Sequence, residues 1–285
     1  MTDQYQDEYQ DDIIAGATAL AALSKDLKEA ATMLTPRQAR FLADYYYQMQ
    51  RNRIRAGHQA LKAAEADEPG AVAAWALGNS STLENNIRKV LDIYSMTTVV
   101  GRWSRSIVGI GPVISAGLLA HIDIEQAPTV GHIWRFAGLD PTLPRMAKGE
   151  RRPWNARLKV IGWKCGESFT KVCNNPRDIY GHVYTDRKRF EIAKNEAGDY
   201  AGQAAKKLED FKIGKDTDAY GWYSQGKLPP AHIHSRAKRY AVKLYLAHLH
   251  HVMFESKYGI PPPKPYILTQ PGHVHFIAPP NWPMP

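Results

Sequence analysis

The stretch SIVGIGPVISAGLL, residues 106–119, decides how this chain is organised. It places Gly109 and Gly111 two residues apart and follows them with Pro112, directly before a run of apolar residues. Glycine adopts turn conformations without steric cost, and proline is tolerated in the first turn of a helix, where the N–H group that it lacks would have no partner. The pattern therefore predicts two helices: one ends near Ile107, and the other begins around Ile114 after the turn VGIGP.

This turn also has the chemistry of an anion site. The first N–H groups of a helix have no carbonyl acceptor within the helix, and the helix dipole is positive at that end. Without a Cβ at Gly109 and Gly111, a phosphate oxygen can approach the backbone closely. The segment resembles the helix-hairpin-helix motif, which implies that the amides of Gly109, Ile110 and Gly111 contact phosphates, with Arg102 and Arg105 adding charge.

The distribution of charge points to the same kind of partner. The 285 residues include 37 Lys and Arg against 28 Asp and Glu, a formal net charge of +9. Residues 1–100 carry a net charge of −3, whereas residues 101–285 carry +12. A surplus of this size favours a phosphate-rich partner for the second part, although it also serves solubility.

A longer block, roughly residues 100–172, resembles the C-terminal domain of the DEDD-type insertion-sequence transposases, the family that includes the Piv DNA invertase. The resemblance lies in GIGP, in the segment FAGLDP at 136–141, and in the basic loop RMAKGERRPWNARLK that precedes an apolar helix. It implies a DNA-binding protein of a phage or another mobile element.

Two departures from that family concern catalysis. Family members carry an N-terminal nuclease-like domain with four acidic metal ligands, whereas residues 1–100 read as helices here. They also carry a catalytic serine in the loop after AGL-x-P, where this chain has Thr142 and no serine. We therefore expect DNA binding without strand cleavage. Two alternatives stay open: a divergent transposase or recombinase, and a non-enzymatic protein-interaction component.

Further basic residues could contact the same backbone. One cluster follows the hairpin segment, and another shares one face of a helix by steps of three and four residues. The candidate residues in these two clusters are Lys148, Arg151, Arg152, Arg157 and Lys159, and then Arg236, Arg239 and Lys243. Since phosphate contacts carry no sequence information, we expect weak sequence preference.

Histidine and cysteine give no clear site. Seven of the 11 histidines follow residue 230, but no carboxylate or thiolate set stands at a familiar zinc spacing. Hydrogen-bonded or interfacial histidines are therefore expected, with no metal and no cofactor. Cys165 and Cys173 fit a reducing compartment, and no apolar run approaches the roughly 20 residues of a membrane span. With its acidic start, the chain is expected to be cytoplasmic, and a homo-oligomer or a partner subunit is possible.

The chain should be mainly α-helical, because period-two alternation is almost absent. We expect a disordered acidic tail over 1–12, an N-terminal helical region over 13–100, and a basic helix-hairpin-helix-centred domain over 101–285. Within the helical region, Thr35-Pro36 predicts a helix start, and Ser81 with Glu84 predicts another. A strong helix should end at Gly259, before an extended proline-rich strap.

Overall fold

The computed structural model describes residues 25–66, 70–144, 146–147, 149–264 and 276–284. These residues form helices and no strand, which confirms the mainly α class. In chain order, the α-helices are α1 (Lys25–Thr32), α2 (Pro36–Glu65), α3 (Ala71–Met96), α4 (Val99–Ser106), α5 (Pro112–His121), α6 (Val130–Phe136), α7 (Ala156–Val172), α8 (Tyr180–Glu196), α9 (Ala201–Asp210), α10 (Asp218–Ser224) and α11 (Pro230–Tyr258). None of the helices described is both long enough and apolar enough to cross a membrane.

The chain divides into two compact units. The first comprises the described residues up to Arg105 together with Gly111–His121, and the second comprises Ser106–Ile110 and the described residues from Ile122 onward. The sequence placed a boundary at residue 100. The structure instead groups α5 with the N-terminal helices, because α5 packs against both α2 and α3.

The first unit is built on the long hairpin of α2 and α3. Its core includes Ala43 of α2, Ile87 and Leu91 of α3, and Val113 and Ala116 of α5, which are all buried. Small residues at the contact allow these helices to approach closely, and larger side chains fill the space between them.

The structure confirms the predicted start of α2, but α3 begins before the predicted start at Ser81. The Thr35 hydroxyl accepts from the Gln38 amide, and the Gln38 side chain accepts from the Thr35 amide, so the two form a capping box before Pro36. Ser81, by contrast, lies in the middle of α3, where its hydroxyl donates to the Leu77 carbonyl at 2.7 Å. The predicted start at Ser81 is wrong because tertiary packing keeps one continuous helix there.

The second unit surrounds α11, which packs against α6, α7 and α8. Phe169, Tyr180 and Tyr245 form its aromatic centre, with ring centroids 5.0–5.5 Å apart. Helix α11 ends at Gly259, whose φ of 71° confirms the predicted left-handed terminator. Residues 261–264 and 276–283 have no helix or strand, and the predicted tail over 1–12 lies outside the described residues.

Candidate nucleic-acid interface

Gly109, in the turn VGIGP between α4 and α5, packs within the second unit. Its φ of +92° is a conformation that L side chains rarely adopt, and a Cβ there would lie 3.1 Å from Val172 Cγ2 and 3.2 Å from Ser168 Oγ. The Ser168 hydroxyl donates a hydrogen bond to the Gly109 carbonyl. Glycine at this position therefore serves the docking of the turn on α7.

The amides around the turn differ in their availability. The Ile110 amide donates to the Ile107 carbonyl at 3.0 Å, which closes the turn. The N–H groups of Gly111, Val113 and Ile114, at the start of α5, have no hydrogen-bond acceptor among the residues that the structure describes. A Cβ at Gly111 would have no atom of the described residues within 4 Å, apart from those of its chain neighbours. The start of α5 thus leaves unpaired N–H groups beside open space.

The two arginines before the turn are in different situations. Arg102 is exposed, and its Nη1 donates to the Met96 carbonyl at 3.2 Å. Arg105 forms an ion pair with Asp92, at 2.9 Å between Nη2 and Oδ1. Arg105 therefore already has a carboxylate partner on α3, which reduces the charge that it offers to a ligand.

Three of the predicted cations come together in the second unit, and we call them the basic surface: Arg152, Lys159 and Arg239. All three are exposed, and they come from the loop before α7, from α7 and from α11. Partial desolvation, together with the charges of Arg152 and Arg239, lowers the pKa of Lys159. Desolvation and the neighbouring Arg236 likewise lower the pKa of Arg239, although Glu191 acts in the opposite direction. No carboxylate forms an ion pair with these three cations in the part of the chain described.

An aromatic ring supports one side of the basic surface. The Lys159 ammonium lies 4.2 Å from the centre of the Trp154 ring, within the range of a cation–π contact. Trp154 and the Lys159 stem lie against Gly138, where a Cβ would approach them to 2.9 and 3.1 Å. With a φ of +65°, Gly138 lies directly after the end of α6. The glycine of the AGLDP segment therefore leaves the space in which Trp154 and the stem of Lys159 pack.

Arg236 lies next to this surface, but its guanidinium faces inward. It donates from Nε to Oε2 of the buried Glu191 at 2.7 Å and from Nη1 to Gln203 at 3.1 Å. Glu191 also accepts from Arg187 and from the Tyr200 hydroxyl. Desolvation of Glu191 opposes these bonds, and their combined effect is a lowered pKa. Arg236 thus holds α11 against α8.

The remaining predicted residues are spread over the second unit. Lys243 lies with its ammonium 4.2 Å from the centre of the Trp134 ring, and burial lowers its pKa. Arg151 and Arg157 are exposed, whereas Lys148 lies outside the described residues. The first unit carries Arg102, Arg105 and Gly111, and the second carries Gly109, Ile110, Arg151, Arg152, Arg157, Lys159, Arg236, Arg239 and Lys243.

Four of the five histidines of α11 are hydrogen-bonded, as expected, and His251 instead lies 3.2 Å from Glu255. His232 and His234 pair with tyrosine hydroxyls, and His250 contacts the Ala127 carbonyl at 2.8 Å. His248 lies between the Tyr180 hydroxyl at 2.7 Å and the Ile277 carbonyl at 2.9 Å. No group of three or more His, Cys, Asp or Glu that could hold a metal occurs within the described ranges, which exclude His273 and His275.

Sequence analysis missed a basic stripe on α2. Arg51, Arg55, His58 and Lys62 are all exposed and line one open cleft in the first unit. Their spacing of four, three and four residues could have revealed this common face. Arg53, which stands between the first two, instead forms an ion pair with Glu84 of α3.

Comparison with protein-family models, with curated proteins and with solved structures yields no match for this chain.

Proposed function

We propose that this protein binds DNA through the phosphate backbone, with the basic surface of the second unit as its main contact. The observation that carries the proposal is the placement of Arg152, Lys159 and Arg239. Three separate segments bring these like charges together, and partial burial, followed by repulsion from Arg152 and Arg239, lowers the pKa of Lys159. Such an arrangement costs free energy in the isolated protein, and a polyanion offsets that cost on binding.

The electrostatic field of the surrounding residues supports the same conclusion. Burial, followed by the charges of Arg239, Lys207 and Arg236, lowers the pKa of His232 to about 4. Among the charges that act on His232, the three cations precede the single carboxylate, Glu191, so its charged neighbours are mainly positive. A positive field of this kind attracts phosphate groups and accelerates their encounter with the protein.

The start of α5 is the second proposed contact. The N–H groups of Gly111, Val113 and Ile114 have no acceptor in the described part of the chain. They are suited to phosphate oxygens, and the helix dipole favours a negative charge there. This contact belongs to the first unit, so we treat it as independent of the basic surface. On the resemblance to transposase C-terminal domains, the protein would serve a phage or another mobile element.

We propose that the chain does not cleave DNA by itself. Thr142, in the loop where the family carries its serine but close to the AGLDP turn, donates its hydroxyl hydrogen to Asp140 at 2.7 Å. That contact is a short-range turn interaction, and the bonds from Thr142 lower the pKa of Asp140. A carboxylate with a lowered pKa is a weak base, so it activates a hydroxyl nucleophile poorly.

A salt-dependent binding titration tests the proposal. We expect the logarithm of the affinity for duplex, single-stranded and branched DNA to fall linearly with the logarithm of the salt concentration. Lys159→Ala and Arg239→Ala should each reduce the slope for duplex DNA by about one and weaken binding to different sequences alike.

Arg189→Ala is the matched control, because Arg189 is an exposed arginine that pairs with Asp186 on the same helix. It should leave both the slope and the affinity close to those of the parent. An affinity that does not change with salt concentration would contradict the assignment of the basic surface. An equal loss of affinity in all three variants would contradict it as well.

A further inference from the structure

Helix α7 exposes a tryptophan beside the basic surface. Trp163 is 54% exposed, and Val160, one turn earlier, is 48% exposed. A large aromatic side chain in this setting keeps substantial apolar area in contact with water, which a flat aromatic partner would cover.

Two lysines flank this ring. The Lys164 ammonium lies 5.4 Å from the ring centre, and the ammonium of Lys238, which belongs to α11, lies 5.8 Å from it. Lys238 reaches this position because Gly166 lacks a side chain: a Cβ there would lie 2.8 Å from Lys238 Cγ. An ion pair with Glu167 then holds the Lys238 ammonium in place and lowers the pKa of Glu167.

The aromatic ring is continuous with the basic surface. Trp163 follows Lys159 by one helical turn on α7, and Lys238 directly precedes Arg239 on α11. Residues four apart on a helix are neighbours on its surface, so a strand whose phosphates contact Lys159 passes beside the Trp163 ring.

We infer that Trp163 is a stacking platform for an unpaired base of single-stranded DNA whose phosphates lie on the basic surface. The inference rests on the proposed function and adds the kind of DNA that is favoured. An exposed aromatic ring within a cationic surface is how proteins bind single strands without sequence preference. A base within a duplex is already stacked on both faces, so only an unpaired base can use the ring.

The test uses the full chain and three probes: a single-stranded oligonucleotide, the same strand with abasic nucleotides, and the corresponding duplex. Trp163→Ala should lower the affinity for the normal strand on the order of tenfold. Trp163→Phe keeps a ring and should lower it less. Neither variant should change the affinity for the abasic strand or the duplex, and the salt dependence should persist because no charge is removed.

Trp75→Ala is the control, because Trp75 is a 70% exposed tryptophan of the first unit. It should bind all three probes as the parent does. Unchanged binding of the normal strand by Trp163→Ala would overturn the inference, and so would an equal loss for the abasic strand and the duplex. If the parent itself binds none of the probes, the proposed function fails, and that result is visible before any substitution is made.

Discussion

The Nε atom of Arg236 on α11 lies 2.7 Å from Oε2 of Glu191 on α8, across 45 residues of sequence. Glu191 is only 1% exposed, so this ion pair is removed from water on the carboxylate side. The pair stands directly beside Arg239, whose pKa responds to both charges. A residue that the helical pattern assigns to the phosphate-contacting face thus holds the helix that presents that face.

Arg236→Ala should therefore affect folding more than Arg239→Ala does. Removing Arg236 deprives the buried Glu191 of one of its two arginines, and the loss of one partner of a buried pair costs about 3 kcal/mol. Arg239→Ala removes an exposed side chain without an ion-pair partner in the described structure, so the free energy of unfolding should change by less than about 0.5 kcal/mol. Urea unfolding measures both. Equal losses would show that Arg236 is not a structural residue.

The two glycines of the quoted turn should separate folding from binding. Gly109→Ala forces a side chain into a left-handed conformation against Val172 and Ser168, so it should destabilise the protein by about 1–3 kcal/mol. Gly111→Val places its side chain in open space, so it should keep the helical content of the parent while blocking a phosphate from the α5 amides. Circular dichroism and DNA titration check the pair.

Should folded Gly111→Val bind DNA as tightly as the parent, the start of α5 is a turn without a binding role. Arg102→Ala should weaken binding mildly by removing one charge. Arg105→Ala should weaken it less, because its ion pair with Asp92 already offsets its charge.

Gly138→Ala should harm the basic surface through packing. Its Cβ would displace Trp154 and the stem of Lys159, and the left-handed backbone adds strain. We expect a folding loss of about 1–3 kcal/mol, with a fall in DNA affinity that Trp154→Ala reproduces in part. Thermal unfolding and DNA titration distinguish the two effects. A variant that binds DNA and unfolds like the parent would show that Gly138 does not support the basic surface.

His248 should make the protein sensitive to acid. Burial lowers its pKa from 6.5 to about 4, although its contact with the Ile277 carbonyl acts in the opposite direction. Between these two values the unfolded chain binds a proton that the folded protein does not, so stability falls as the pH falls. The loss should reach at most about 3 kcal/mol.

Urea unfolding of His248→Gln across the same pH range tests this. The amide can keep a hydrogen bond without titrating, so the variant should lose less stability on acidification than the parent does. His58→Gln, at an exposed position on α2, should retain the full acid sensitivity of the parent. An identical pH profile for His248→Gln and the parent would assign the effect to other groups.

Supercoiled plasmid with magnesium or manganese should remain uncut by the pure protein. The reason is the weak base beside Thr142, together with the absence of a serine in the loop after AGLDP. Gel electrophoresis of the plasmid checks this outcome. Reproducible nicking that disappears in Thr142→Ala would instead favour a divergent transposase or recombinase.

Local sequence signals determined much of the fold. Thr35-Pro36 and Gly259 mark helix ends through hydrogen bonds and backbone angles that neighbouring residues alone decide. The lack of alternation likewise determined the mainly α class. Gly138 belongs with these signals, because a left-handed residue after a helix depends on the nearby chain.

Only the tertiary structure decided which charges remain available to a ligand. Arg236 and Arg239 look alike on the helical pattern, yet one is paired with Glu191 and the other is exposed. Similarly, Arg105 meets Asp92, and α5 joins the N-terminal helices. The physical reason is that ion pairs and burial arise between segments far apart in the chain, whereas periodicity and capping report only on residues within a few positions of each other.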